Sequence, residues 1–275
     1  MVHRPVGRAY HGSMPLPEVV TFVLGKPPER SPVLPDVIAQ LQRQHVRAEV
    51  VVPGSAQKLE LPHSTQVVAI RGVAAPVLVG LVPHEDGDVR WVNAPSAMLR
   101  IIDRAALHAD LAGAGLPVPH QERAASWEQV AALAAGGPSV VKAVDSTVGR
   151  GRHVLMIPDG VAPTEAPFPG PYVVSELIAT DGVDRKLYVI GDRVAGLAKP
   201  WPRPESGDGT QPLDVTDELV ALARGAADAA GLTVCGVDVL AGPAGPAIVD
   251  VNAFPSCKGV PGAAESIARH LVSVM

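Results

Sequence analysis

The stretch that most constrains this chain is VCGVDVLAGPAGPAIVDVNAFP, residues 234–255. Two apolar, β-branched runs flank a turn spanning Gly242 to Pro246, which predicts an antiparallel hairpin. In that register Asp238 falls opposite Asp250, and Asn252, two residues on, shares a face with Asp250. Like charges directly opposite one another destabilise a sheet, so the pairing calls for a cation between them. Oxygen donors without histidine or cysteine suit a hard ion, magnesium rather than zinc.

Magnesium usually completes its coordination with water and substrate phosphates, which points to a nucleotide, ATP first. The chain carries neither a GxxxxGK[ST] loop nor a GxGxxG after a strand, so other groups must hold the phosphates. Lysine is the informative residue type, with six lysines against seventeen arginines. Lys142 lies inside the apolar run PSVVKAV and precedes DSTVGRGR, whose glycines and arginines can close over anionic oxygens. Lys26 follows the first strand, where ligands approach α/β sheets.

Other classes are disfavoured. A net charge of -5 and a pI near 6.0 offer no attraction to nucleic acid or to an anionic membrane. No uninterrupted apolar run of about 18 residues is present to span a bilayer. Cys235 and Cys257 lack CxxC spacing, and a reducing cytoplasm is expected. Residues 1–17 lack the apolar core of a signal peptide and are expected to form a disordered tail outside the fold. The nine histidines form no catalytic pattern and are assigned structural or surface positions.

Along the chain, VVTFVLG, PDVIAQLQRQHV and AEVVVPG read as a βαβ unit. QVVAIRG and VRWVNAP add strands, giving a small parallel α/β layer over residues 18–92. The stretch from Ser96 to Pro119 is helical in two pieces, with Asp103 as the N-cap of the second and Arg104 in its first turn. A cation there opposes the helix dipole and asks for an anion partner. PSVVKAV and HVLMI, then YVVSELI, then DRKLYVI and RVAGLAKP around Gly191-Asp192, alternate with turns as in antiparallel sheets. DVTDELVALARGAADAAGL is a capped amphipathic helix.

The order of these pieces carries a resemblance. GVDVL followed by DVNAFP, together with NAPSAM, the Asp103-Arg104 pair, VVKAVDSTVGRG, SELI and GVDRKLYVIGD, resembles the ATP-grasp superfamily, in its branch of RimK-like peptide and amide ligases. The likeness covers residues 93–275 and implies an α/β fold in which the parallel layer precedes a two-lobed grasp with antiparallel sheets. The lid lobe would span about residues 118–178 and the metal-binding lobe about residues 179–275.

Carried over by position, the resemblance implies ATP and two magnesium ions, with manganese as an alternative. Asp238, Asp250 and Asn252 would hold the metal. Lys142 and Arg104 would meet the phosphates beneath Gly149 and Gly151. Glu176, Leu177 and Ile178 would meet adenine, and Asp184 the ribose. Lys186 and Lys199 would assist phosphoryl transfer, and Arg185 and Lys258 would receive a substrate carboxylate. The implied reaction is ATP-dependent joining of a small-molecule or peptide carboxylate to an amine through an acylphosphate; self-association is left open.

Three positions depart from the family pattern: Asp250 stands for glutamate, Arg104 for lysine, and Lys186 for the arginine of a DxR pattern. Lysine at that last place is more like the inositol-phosphate kinase branch. A small-molecule kinase is therefore one alternative, and a non-catalytic nucleotide-binding regulator another.

Overall fold

The computed structural model describes residues 18–54, 60–147, 153–202 and 209–275. The 1–17 segment and the two loop glycines, Gly149 and Gly151, lie outside the described residues.

β1 (Val19–Leu24) is buried at every position, as a β-branched run inside a parallel sheet must be. α1 (Leu34–Arg43) buries Leu34, Val37 and Leu41. With β2 (Arg47–Val51), β3 (Val67–Arg71) and β4 (Arg90–Val92), β1 forms a parallel sheet of order β2-β1-β3-β4. The apolar segment after β3 forms α2 (Ala75–Leu81), whose second residue is a proline suited to a first helical turn. α3 (Pro95–Arg100) and α4 (Arg104–Gly113) are the two helical pieces the pattern predicts. Asp103 caps α4, its Oδ1 accepting from the Ala105 and Ala106 amides at 2.8 and 3.1 Å.

A second sheet is antiparallel with order β5-β8-β6-β7. It comprises β5 (Gln121–Ala124), β6 (Ser139–Ala143), β7 (Val154–Ile157) and β8 (Tyr172–Glu176), and it packs on α5 (Trp127–Ala134). Neither β5 nor α5 is read from the sequence above, yet a signal exists. Ser126 accepts from the Gln129 amide at 3.3 Å while the Gln129 side chain accepts from the Ala125 amide at 2.8 Å, close to a capping box written S-x-x-Q.

The third sheet has order β11-β10-β9-β12-β13, all antiparallel. Its strands are β9 (Val183–Ile190), β10 (Arg193–Pro200), β11 (Gln211–Leu213), β12 (Val234–Gly242) and β13 (Gly245–Ala253). α6 (Asp217–Ala230) starts at the Thr216 cap and ends at Gly231, whose φ of 66° suits a residue without Cβ. α7 (Ala263–Ser273) closes the chain; it and β11 are also absent from the sequence reading.

The parallel sheet and the five-stranded sheet share two core layers. One, beneath α1 and α7, takes Val67 and Ala69 from β3, Tyr188 and Ile190 from β9, and Val234 and Phe254. The other, beneath α2 to α4 and α6, takes Val68, Ile70, Leu187, Val189, Val237 and Val239. This is the alternation of a strand buried on both faces. Asn93, only 1% exposed, ties the two sheets together. Its amide nitrogen donates to the Val234 carbonyl at 2.8 Å, and its oxygen accepts from the Thr233 and Val234 amides at 2.8 and 3.0 Å.

Candidate active site

The hairpin forms as expected, and Asp238 is the register partner of Asp250. The register then shifts between Asp238 and Val239, because Val239 pairs with Ile248 and Val249 is left over as a bulge residue. This bulge has a use. Lys142 on β6 reaches across from the neighbouring sheet and donates from Nζ to the Val249 carbonyl at 3.0 Å. An interrupted ladder therefore supplies the acceptor that holds the lysine beside Asp250.

Between the two antiparallel sheets lies a cleft with about 820 Å³ of space, counting its open mouth. Val140, Val154 and Met156 face it from one sheet, and Leu240 and Ile248 from the other. Glu176, Leu177 and Ile178 run along one edge; Lys142, Arg104 and Asp250 also line it. The Glu176 and Leu177 amides donate to the His120 and Pro138 carbonyls at 2.9 and 3.0 Å. The Ile178 amide has no backbone partner among the described residues. An apolar cleft with a backbone donor on its rim that has no backbone partner among the described residues suits a purine base.

Arg104 is 9% exposed and donates from one terminal nitrogen to the Ala143 carbonyl at 2.8 Å. Its Nε is buried without a partner among the described residues. Lys142 is pushed toward the neutral amine, first by burial and then by Arg104 and Lys186, against the pull of Asp250 and Asp238. Two desolvated cations in one cleft are stabilised by an anion such as a polyphosphate. The fit of a nucleotide thus rests on the apolar cleft, the rim donor and the under-compensated cations.

Strand parity sorts the remaining residues. Asp184, Lys186 and Tyr188 share one face of β9, while Arg185 and Leu187 share the other. Lys186 is the register partner of Asp238, and its Nζ lies 2.7 Å from Asp238 Oδ2 and 3.1 Å from Asp184 Oδ2. Burial opposes the charge on Lys186, but the two carboxylates outweigh it and its pKa is raised. Asp238 is pushed up to about 6, chiefly by burial and further by Asp250, with Lys186 holding it back.

The donor set fits a divalent ion: two facing carboxylates and an amide on one sheet face, with one carboxylate held above its ordinary pKa chiefly by burial and further by the other. The Oδ1 of Asp184 is buried and unpartnered among the described residues, so this face has further acceptor capacity. Among the described residues no cluster of three His, Cys, Asp or Glu forms a ready-made cage. An ion held here draws on water and phosphate, as magnesium does.

Not every expected residue joins. Arg185 turns to the opposite face and pairs with Asp181 at 2.5 Å, because its neighbour Lys186 takes the charged face. Lys258 is exposed and opens onto a separate hollow beside Asp36 and Arg43 of α1. Asp184 does not line the cleft; it is 5% exposed and engaged with Lys186. Lys199 is the register partner of Asp184 and lies on the charged face. Asn252 is exposed, opposite Gly236 on the face of Asp250. Trp201 and His108 line the cleft without having been anticipated; the His108 ring is fixed by the Pro119 carbonyl at 2.7 Å.

Known proteins share this fold. Residues 103–274 match the RimK-like ATP-grasp domain. A probable alpha-L-glutamate ligase of Thioalkalivibrio sulfidiphilus is 38% identical over 68 residues, which is 24% of this chain and 23% of that protein. The chain thus spans about a quarter of the length of the curated relative it matches. The RimK domain ATP-grasp protein of Sphaerobacter thermophilus superposes with a TM-score of 0.68 at 22% identity, covering 92% of this chain and 99% of that one. The D-cycloserine synthetase DcsG superposes with a TM-score of 0.69 at 18% identity, covering 93% and 99%.

Proposed function

Since the chain belongs to the RimK-like ATP-grasp family, we propose that it is an ATP-dependent carboxylate-amine ligase. The observation that carries this reading is that Lys142 and Asp250, on different sheets, line one largely apolar cleft. Phosphoryl transfer needs charge neutralisation and positioning more than covalent help from the protein, and this cleft offers both.

In the proposed reaction a substrate carboxylate oxygen attacks the γ-phosphorus of ATP; the new O–P bond forms as the bond to ADP breaks. An amine lone pair then attacks the acyl carbon, the C–N bond forms, phosphate leaves and the amine gives up a proton. Lys142 and Arg104 hold the phosphates, and Ile178 offers its amide to adenine. Lys186, with Lys199 beside it, supplies positive charge on the face where the transferring group arrives. Asp238, Asp250 and Asn252 would hold magnesium, which when bound neutralises phosphate charge. The single-methylene shortening at Asp250 suits a ligand already on a strand facing its partner.

Hydroxylamine trapping tests the reading. Carboxylic acids, free and peptide-borne, are screened with ATP and magnesium for hydroxamate, ADP and free phosphate. A ligase gives all three with at least one acid. A small-molecule kinase gives ADP with neither hydroxamate nor free phosphate, and a regulator binds ATP without releasing ADP.

A further inference from the structure

Neither residue expected to receive the acid's carboxylate stands on the charged face: Arg185 points away and Lys258 opens elsewhere. The parallel sheet supplies one. Val67 and Ala69 of β3 belong to the core layer beneath α1 and α7, whereas Val68 and Ile70 belong to the opposite layer. Arg71, two residues beyond Ala69, therefore projects on the α1 and α7 side. On β9 the same layer contains Ile190 and Tyr188, and its row continues as Lys186 and Asp184. One apolar layer thus runs out into charged groups on both sheets.

Cys257, in the loop that follows β13, connects the two ends. Its thiol is within electrostatic reach of both Arg71 and Tyr188, and Tyr188 is within reach of Asp238, Lys186 and Asp184. Arg71 forms none of the ion pairs among the described residues, and its Nε is buried without a partner there. Burial lowers its pKa. Cys257, itself pushed up to about 12, is a neutral thiol and gives no compensating charge. A half-buried guanidinium with a buried, unpartnered Nε and no anion among the described residues is stabilised by a ligand that supplies one.

The backbone fixes where Arg71 stands. The Gly25 amide donates to the Arg71 carbonyl at 3.0 Å, and a methyl group at Gly25 would sit 1.8 Å from the Gly72 carbonyl oxygen. The ends of β1 and β3 are therefore in backbone contact and carry no side chain between them. β1 lies between β2 and β3, so the strand order reverses at these two ends, which is where α/β sheets collect ligands.

We propose that Arg71 is a specificity-determining residue that receives a carboxylate of the acid substrate through its forked terminal nitrogens. This rests on the ligase reading. The carboxylate is either that of a free acid or the C-terminus of a peptide, and the probes separate the two.

The test uses the whole protein with magnesium and a non-hydrolysable ATP analogue bound. The Arg71 Nε–H resonance, identified by its loss in Arg71→Lys, is followed during titration with L-glutamate, the dipeptide Ala-Glu and its C-terminal amide. A saturable shift supports the proposal; a shift that amidation abolishes assigns the C-terminal carboxylate. A resonance unmoved by all three overturns it. In the hydroxamate assay, Arg71→Met is expected to raise KM for the acid at least tenfold with kcat within about threefold and unchanged affinity for the analogue. Unchanged KM removes Arg71 and leaves the ligase reading intact; absence of hydroxamate in the wild type with a responsive Arg71 removes the ligase reading and leaves an anion site.

Discussion

Lys186 and Asp238 are partners twice over, as register neighbours on adjacent strands and as an ion pair at 2.7 Å. Without a divalent ion, the ammonium is the nearest positive charge that Asp238 has. Lys186→Met removes it and leaves a largely desolvated carboxylate facing Asp250. The side chains keep 14% and 23% exposure, so the expected loss of stability is on the order of 1–3 kcal/mol, below that for a fully buried pair. Urea unfolding measures it, and added magnesium with ADP should narrow the gap to wild type.

In the proposed reaction Lys142 holds the nucleotide phosphates. Lys142→Ala removes a cation from the cleft and is expected to weaken binding of a non-hydrolysable ATP analogue about tenfold to a hundredfold. Calorimetry reads this directly, and an affinity equal to wild type would remove the phosphate role.

The pH dependence of metal binding follows from Asp238, whose pKa is raised to about 6, burial being the first cause. Apparent magnesium affinity in the presence of ADP should be level above that pH and fall about tenfold per unit below it. The metal-free protein behaves oppositely. The folded pKa exceeds the unfolded value of 3.8, so the stability gained by protonating Asp238 is fully present below that value and lost as pH rises through about 6. Asp238→Asn should flatten both curves.

Asn93 is a fold residue whose importance lies in its three hydrogen bonds to the backbone of residues 233 and 234. Asn93→Ala leaves those backbone groups unpaired beneath two sheets and should cost about 2–4 kcal/mol. Thermal and denaturant unfolding check it. Nucleotide affinity at temperatures where the variant stays folded should stay close to wild type.

The sequence exposes what depends on period and on rare residue types. The alternation in 234–255 alone places Asp238 opposite Asp250, because a strand has a fixed period of two. The same rule, applied to GVDRKLYVIGD, would have separated Arg185 from Lys186. Lys142 stood out as a lysine inside an apolar strand. The Val249 bulge has no local signature, since it arises from how two strands compromise on twist. Arg71 was invisible for another reason: one arginine among seventeen becomes informative only when its surroundings prove to lack an anion.

In the proposed ligase, Asp238 and Asp250 tolerate one another because a divalent ion joins them to a nucleotide. Calorimetric titration of the ATP analogue with and without magnesium, in wild type and in Asp250→Ala, tests it most directly. Magnesium is expected to strengthen binding to the wild type and no longer to do so in the variant, which keeps its circular dichroism spectrum. Equal magnesium dependence in the two proteins, or a wild type indifferent to the ion, would contradict it.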